Sequence, residues 1–505
     1  MRPTARLLAL PALLLAIVLP GCGGGGGDSG SALGDSLAYL PKDTPFAVSI
    51  DTDVEGDQYQ SLGKLIKQFP FGNQAVQSLR EQLEQSSNGH LDYEDDVKPL
   101  LGNPFVVGAT DPRSFTSGDS DDFIGAIRAK DGDKLADVLK RSGAKETGEK
   151  SGAKVYENGG SVFAIEGDTL VVADSRQSLE AALERHDGDD HLGEDAFDKS
   201  QDGLPSKALV RLYADVQNLL RSDPDTVEAR KIPWVSALRT LGLTGVAEND
   251  GLVFQFNLKT EGDLTDEDLP LASGDDAPQV VEKNGQINFG IRDPGQIVRF
   301  AESAAQAVNP QSFGQYEQAK RQIERRQNVD FDRDVIEQLS GDMSVNLAVD
   351  GTYGVRATLK DPAAFKRTLA KIAPILPAFA EGAGGGKVAL SRPKPGQDFY
   401  ALAQANGSSI VFGVVDDAFV LSNRPRTAGT LSAASPQDVE GAKGSFVLSA
   451  DAEQIAKAVL AQAGPQLGLG GALGGSLFTG PLGDLNGSIT SSTDGLRGKI
   501  SLGID

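Results

Sequence analysis

One cysteine, three histidines and 71 acidic side chains are the groups in this 505-residue chain that could do chemistry. A thiol can serve as nucleophile, metal ligand or disulfide partner, but Cys22 has no second cysteine to pair with. Its setting points to a different reaction. Arg2 and Arg6 precede an apolar run at 7–19, and Leu19-Pro20-Gly21-Cys22 closes it. A positive n-region and an apolar core of this length mark a secretory signal, too short to span a bilayer comfortably. The cysteine falls where a bacterial lipoprotein carries its diacylglyceryl group, although Pro20 stands where a small or β-branched residue is usual. Five glycines follow at 23–27, then Asp28-Ser29-Gly30-Ser31, a composition that makes a flexible tether. The expectation is a signal peptide at 1–21, lipidation of Cys22 and a tether at 22–34. The protein would then sit outside the cytoplasm, held to the membrane through its acyl chains.

The histidines offer less. His186 and His191 lie in the run His186-Asp187-Gly188-Asp189-Asp190-His191-Leu192-Gly193-Glu194-Asp195. A calcium loop needs oxygen ligands at alternate positions and a closing glutamate, and that register is missing. A zinc site needs histidines on a fixed face with further ligands. An exposed acidic loop that binds no metal tightly is therefore expected. Glu381-Gly382-Ala383-Gly384-Gly385-Gly386-Lys387-Val388 is one residue short of a phosphate loop, with Val388 where Ser or Thr must reach magnesium. No Gly-x-Ser-x-Gly elbow occurs, and carboxylate pairs carry little information among so many acids. The reading assigns no catalytic residue, no metal ligand and no cofactor. With 48 basic residues against 71 acidic, the net charge is −23, which disfavours a nucleic-acid partner and close adhesion to anionic lipid. One apolar feature remains. The Gly- and Leu-rich run at 467–478 and the earlier Ile232-Pro233-Trp234-Val235 either pack at a core edge or form an apolar lip. If a lip, the ligand-binding candidates are Trp234, Leu469, Leu473, Leu477 and Phe478.

The elements that would position any site occur twice in one order. Leu91-Asp92-Tyr93-Glu94-Asp95-Asp96-Val97 has a twin in Val329-Asp330-Phe331-Asp332-Arg333-Asp334-Val335, and each leads to a strand. Ala129-Lys130-Asp131-Gly132 matches Leu359-Lys360-Asp361-Pro362, with Asp131 and Asp361 as helix N-caps and Pro362 at the first helical position. Hairpins are expected at 162–173 and 411–422, from alternating apolar runs around a polar turn. Strands at 210–215 and 446–451 each lead into a helix, and Asp250-Gly251 and Asp494-Gly495 mark late hairpins. The opening strands are Phe46-Ala47-Val48-Ser49-Ile50 and Ile287-Asn288-Phe289-Gly290-Ile291. The fold class predicted is α+β: two homologous modules, 35–260 and 279–505, each a mainly antiparallel sheet with helices on one face. An acidic linker at 261–278 would join them.

The entry Leu37-Ala38-Tyr39-Leu40-Pro41-Lys42-Asp43-Thr44-Pro45-Phe46, the Asp330-Phe331 pair leading to Gly341, and the Lys360-Asp361-Pro362 helix start resemble a bacterial family catalogued as domain of unknown function 3352. The resemblance implies an extracytoplasmic protein and brings no catalytic residues. The role expected is non-enzymatic binding or scaffolding at the cell envelope, with the membrane, and an envelope protein or apolar ligand, as partners. A carrier of a lipid-like ligand and an envelope hydrolase are the alternatives.

Overall fold

The computed structural model describes residues 29–86, 90–112, 123–281, 286–381, 387–393, 398–404, 407–467 and 479–505. The signal segment, Cys22, Leu469, Leu473, Leu477 and Phe478 lie outside the described residues. The chain divides into two units. The first takes the chain through Val227, then Leu238–Lys259 and Ile504–Asp505; the second takes Glu228–Ala237 and Thr260–Gly503.

Strands of the first unit are β1 (Phe46–Ile50), β2 (Phe105–Ala109), β3 (Phe123–Arg128), β4 (Lys145–Lys150), β5 (Ala153–Asn158), β6 (Ser161–Glu166), β7 (Thr169–Ala173), β8 (Val210–Asp215), β9 (Leu238–Ala247) and β10 (Gly251–Thr260). They pair in the spatial order β10-β9-β8-β1-β2-β3-β7-β6-β5-β4, antiparallel from β9 to β4. Strands of the second are β11 (Gln286–Arg292), β12 (Asp342–Ala348), β13 (Tyr353–Thr358), β14 (Val388–Ser391), β15 (Phe399–Gln404), β16 (Ser409–Val415), β17 (Ala418–Ser422), β18 (Phe446–Asp451), β19 (Leu482–Ser492) and β20 (Gly495–Ile504). Their order is β20-β19-β18-β11-β12-β13-β17-β16-β15-β14. Counted within each unit, the two orders are identical.

Local chemistry repeats with the topology. Asp92 accepts from the Asp95 amide and Asp96 accepts from the Asp92 amide, each at 2.9 Å. Asp330 and Asp334 do the same with the amides of Arg333 (3.0 Å) and Asp330 (2.9 Å). Both motifs wind one wide π turn, Tyr93–Val97 and Asp332–Ile336. The expected hairpins turn on two residues, with Glu166 opposite Thr169 and Val415 opposite Ala418. Asp361 caps its helix, accepting from Ala364 N at 2.8 Å, with Pro362 at the first position. Asp131 makes no side-chain cap bond and instead pairs with Lys134 at 3.4 Å. Gly132 lacks the fixed φ that Pro362 supplies, and the chain there enters a 3₁₀ turn first.

Three expectations are revised. Helices cover both faces of each sheet, not one. Val106 and Ala126 pack in one buried cluster with Leu33, Leu37 and Leu183, while their neighbours Phe105 and Ile127 pack in another with Tyr59 and Tyr93. Strand side chains alternate, so the continuous apolar run Phe105-Val106-Val107 has to bury both faces. In the second unit Phe412 packs near Phe365 and Leu369, and Val411 near Ala428 and Leu431. The last part of the expected tether at 22–34 is helical instead, because a helix spans Ser29–Leu37 and Ala32 and Leu33 are buried. Finally, the stretch 261–278 belongs to the second unit. Leu269 is fully buried there, and its carbonyl accepts from Gln296 Nε2 at 2.8 Å.

Candidate functional site

The first unit holds an open cleft of about 430 Å³ beyond the end of β1. Thr52, Asp53, Val54 and Glu55 follow that strand and form one wall; Glu94, Lys98, Pro99 and Leu101 form another; Lys130 and Asp131 close it after β3. Partly buried hydrogen bonds set these walls. Thr52 Oγ1 donates to Asn103 O at 2.5 Å and accepts from Gly102 N at 3.0 Å. Asn103 Nδ2 donates to Arg128 O at 2.9 Å, and Lys130 N donates to Leu100 O at 3.0 Å. Gly102 has φ +129°, and a Cβ there would lie 3.2 Å from Lys130 Cδ, so glycine lets the turn close while the lysine stem passes over it.

Four carboxylates and two lysines face this cleft. Lys98 Nζ lies 3.1 Å from Glu94 Oε2 and 3.7 Å from Glu55 Oε1, and Arg80 pairs with the other Glu94 oxygen at 3.3 Å. Beneath the floor, Tyr59 donates to Asp51 O at 2.6 Å. Burial raises the Asp51 carboxyl above the usual range and pushes the Tyr93 hydroxyl up to about 12. A polar cleft of this kind can hold a charged or strongly hydrogen-bonding ligand by ion pairs.

The second unit builds its corresponding corner differently. After β11 the chain turns at Asp293 (φ +43°) directly into helix Pro294–Val308, whose first three residues are buried. A Cβ on Gly295 would lie 2.8 Å from Ile336 O, so the helix start rests on the π turn.

Trp234, the described member of the proposed apolar lip, is half-buried on helix Pro233–Ala237 and meets Phe300 edge-on at 6.5 Å. Its indole N–H is buried with no hydrogen-bond partner among the described residues. His191 is half-buried, with Nδ1 2.9 Å from Gly188 O. His186 is placed otherwise: its ring stacks on Tyr39 at 4.4 Å with planes 4° apart, and its Nδ1 lies 3.2 Å from Glu166 Oε2. In the sequence, Glu94, Lys130 and Asp131 stand out only as repeat markers. Their recurrence was visible; their convergence needed the β2–β3 register. Among the described residues no helix is long and apolar enough to cross a membrane.

The family model described as "Protein of unknown function (DUF3352)" matches residues 12–372. No curated protein matches the chain in sequence. Among solved structures, crystal form III of TP0453 is 12% identical over 46% of this chain and 81% of that one, at a TM-score of 0.27. Form I is 13% identical over 46% and 80%, at 0.26. Likenesses this low carry no argument about role.

Proposed function

The chain belongs to this family of proteins of unknown function, and from that premise we propose an extracytoplasmic lipoprotein with a binding or scaffolding role at the cell envelope. The observation that carries the reading is the position of the only cysteine, at the end of an apolar run behind two arginines and ahead of five glycines. Signal cleavage before Cys22 and acylation of its thiol would hold the protein on a membrane without a spanning helix. The cleft beyond β1 is the binding place that the geometry supports best. Its charged lining favours a polar partner over an apolar chain, which needs a mainly hydrophobic wall. We also propose that the two units are copies of one duplicated module, supported by their common strand order and their matched π turns.

Fractionation tests the anchor. Cys22→Ser should move the protein from membrane to soluble fractions, and the wild-type mature N-terminus should carry acyl mass. Unchanged membrane retention with an unmodified N-terminus would overturn the lipoprotein reading. Native mass spectrometry of the protein purified from its own host tests the role. A polar ligand or protein partner supports binding, whereas a retained lipid would favour the carrier.

A further inference from the structure

His186 ends helix Arg176–His186, and Asp187 is that helix's C-cap. Glu166 ends β6, on the sheet face against which the helix packs. One ligand atom from each of Glu166, His186 and Asp187 lies within 4.8 Å of the others. Zinc bonds to nitrogen and oxygen are about 2.0–2.1 Å, so neighbouring ligands in a tetrahedral site stand roughly 3.3 Å apart. The 3.2 Å between His186 Nδ1 and Glu166 Oε2 already has that spacing. We propose that Glu166, His186 and Asp187 form a divalent transition-metal site, suited to Zn²⁺, with a fourth position left for water.

Donor chemistry and support both favour this assignment. One imidazole nitrogen with two carboxylate oxygens suits zinc better than calcium or magnesium, which take oxygen ligands. The two carboxylates balance the ion's charge, and the carbonyls at a helix C-terminus favour a cation. Tyr39 holds the first two ligands in place. It is fully buried, its hydroxyl donates to Glu166 Oε2 at 2.6 Å, and its ring stacks on His186. A hydrogen bond onto a ligating carboxylate is the outer-shell support that metal sites use. Arg185, the nearest basic neighbour in sequence, is turned to another task, donating to Tyr39 O at 2.9 Å. The expectation of an exposed loop without metal set His186 only against its own loop. The partner it could not supply is Glu166, brought in by the sheet.

Zinc titration of the EDTA-stripped Cys22→Ser chain, by calorimetry and by metal content after gel filtration, tests the site. One equivalent should bind. Glu166→Gln and Asp187→Asn should each weaken binding by about tenfold or more, and Tyr39→Phe by about 10–100-fold. His90→Ala with His191→Ala should change nothing. Asp187 is exposed, so Asp187→Asn reports on the site even if His186→Ala fails to fold. Less than one equivalent in the wild-type chain would overturn the proposal and leave His186 and Glu166 as a side-chain contact only. Undiminished zinc binding by a folded Asp187→Asn or His186→Ala would overturn it too.

Discussion

Asp96 should be the most consequential carboxylate in the repeated π-turn motif. Its side chain is 9% exposed and accepts three bonds: from Asp92 N at 2.9 Å, and from the Arg141 guanidinium at 2.9 and 2.6 Å. Asp96→Asn keeps the shape and one carbonyl oxygen but turns an amide toward Arg141. The charge-assisted bonds at risk are worth about 1.5–3 kcal/mol in general. Arg141 is 47% exposed, so water screens part of that, and a loss of about 2 kcal/mol is expected. For a unit of this size that is a fall of roughly 4–8 °C in Tm. Asp334 is the control. Its partner Arg333 is its chain neighbour and 64% exposed, so Asp334→Asn should cost less than about 1 kcal/mol. Scanning calorimetry of the Cys22→Ser chain would compare them.

The Arg141 hydrogen bonds, helped by the Asp92 amide, outweigh burial and hold the Asp96 carboxyl below the usual range. A carboxylate lowered on folding stabilises above the unfolded pKa of about 3.9 and loses that contribution as pH falls through the folded value. The gap between wild type and Asp96→Asn should therefore be full at neutral pH and narrow below about pH 4. Equal cost for the two asparagine variants, or a gap that widens in acid, would refute the reasoning.

Two further substitutions test the fold directly. Asp361→Ala should cost about 1 kcal/mol by urea titration, while Asp131→Ala, with no cap bond to lose, should stay within about 0.5 kcal/mol. Gly242→Ala should destabilise the first unit by about 1–3 kcal/mol, because its Cβ would lie 2.1 Å from Ser200 O, a backbone atom that cannot swing aside; a neutral result would mean that the two segments separate easily.

Much of the fold was legible because it is encoded locally. Alternation around Gly167-Asp168 and Asp416-Asp417 placed both hairpins, and the strands at 210–215 and 446–451 each lead into a helix, where Asp215 and Asp451 accept from Asn218 N and Gln454 N. The second helical layer could have been read from Phe105-Val106-Val107, which has no polar alternation to spare one face from burial. The sites were harder, since each joins residues through register and not through spacing. Glu94 meets Lys130 and Asp131 only after β2 pairs with β3. Glu166 meets His186 only when the helix folds back along β6 and β7. Leu269 was hidden for the opposite reason: Leu264, Leu269 and Leu271 lie among acids with no helical or strand period, yet Leu269 is fully buried.

The early start of helix Ser29–Leu37 sets a working distance. On the proposed anchoring, six residues, 23–28, separate the acylated cysteine from that helix. Fully extended they span about 20 Å at most. Leu33 and Leu37 are embedded in the core of the first unit, so further reach would require pulling core residues out into water. On that anchoring the first unit would be on a short leash, and its cleft and proposed zinc ligands would meet any partner close to the membrane surface. Lengthening the glycine run is then a direct way to ask whether the protein's task depends on that distance.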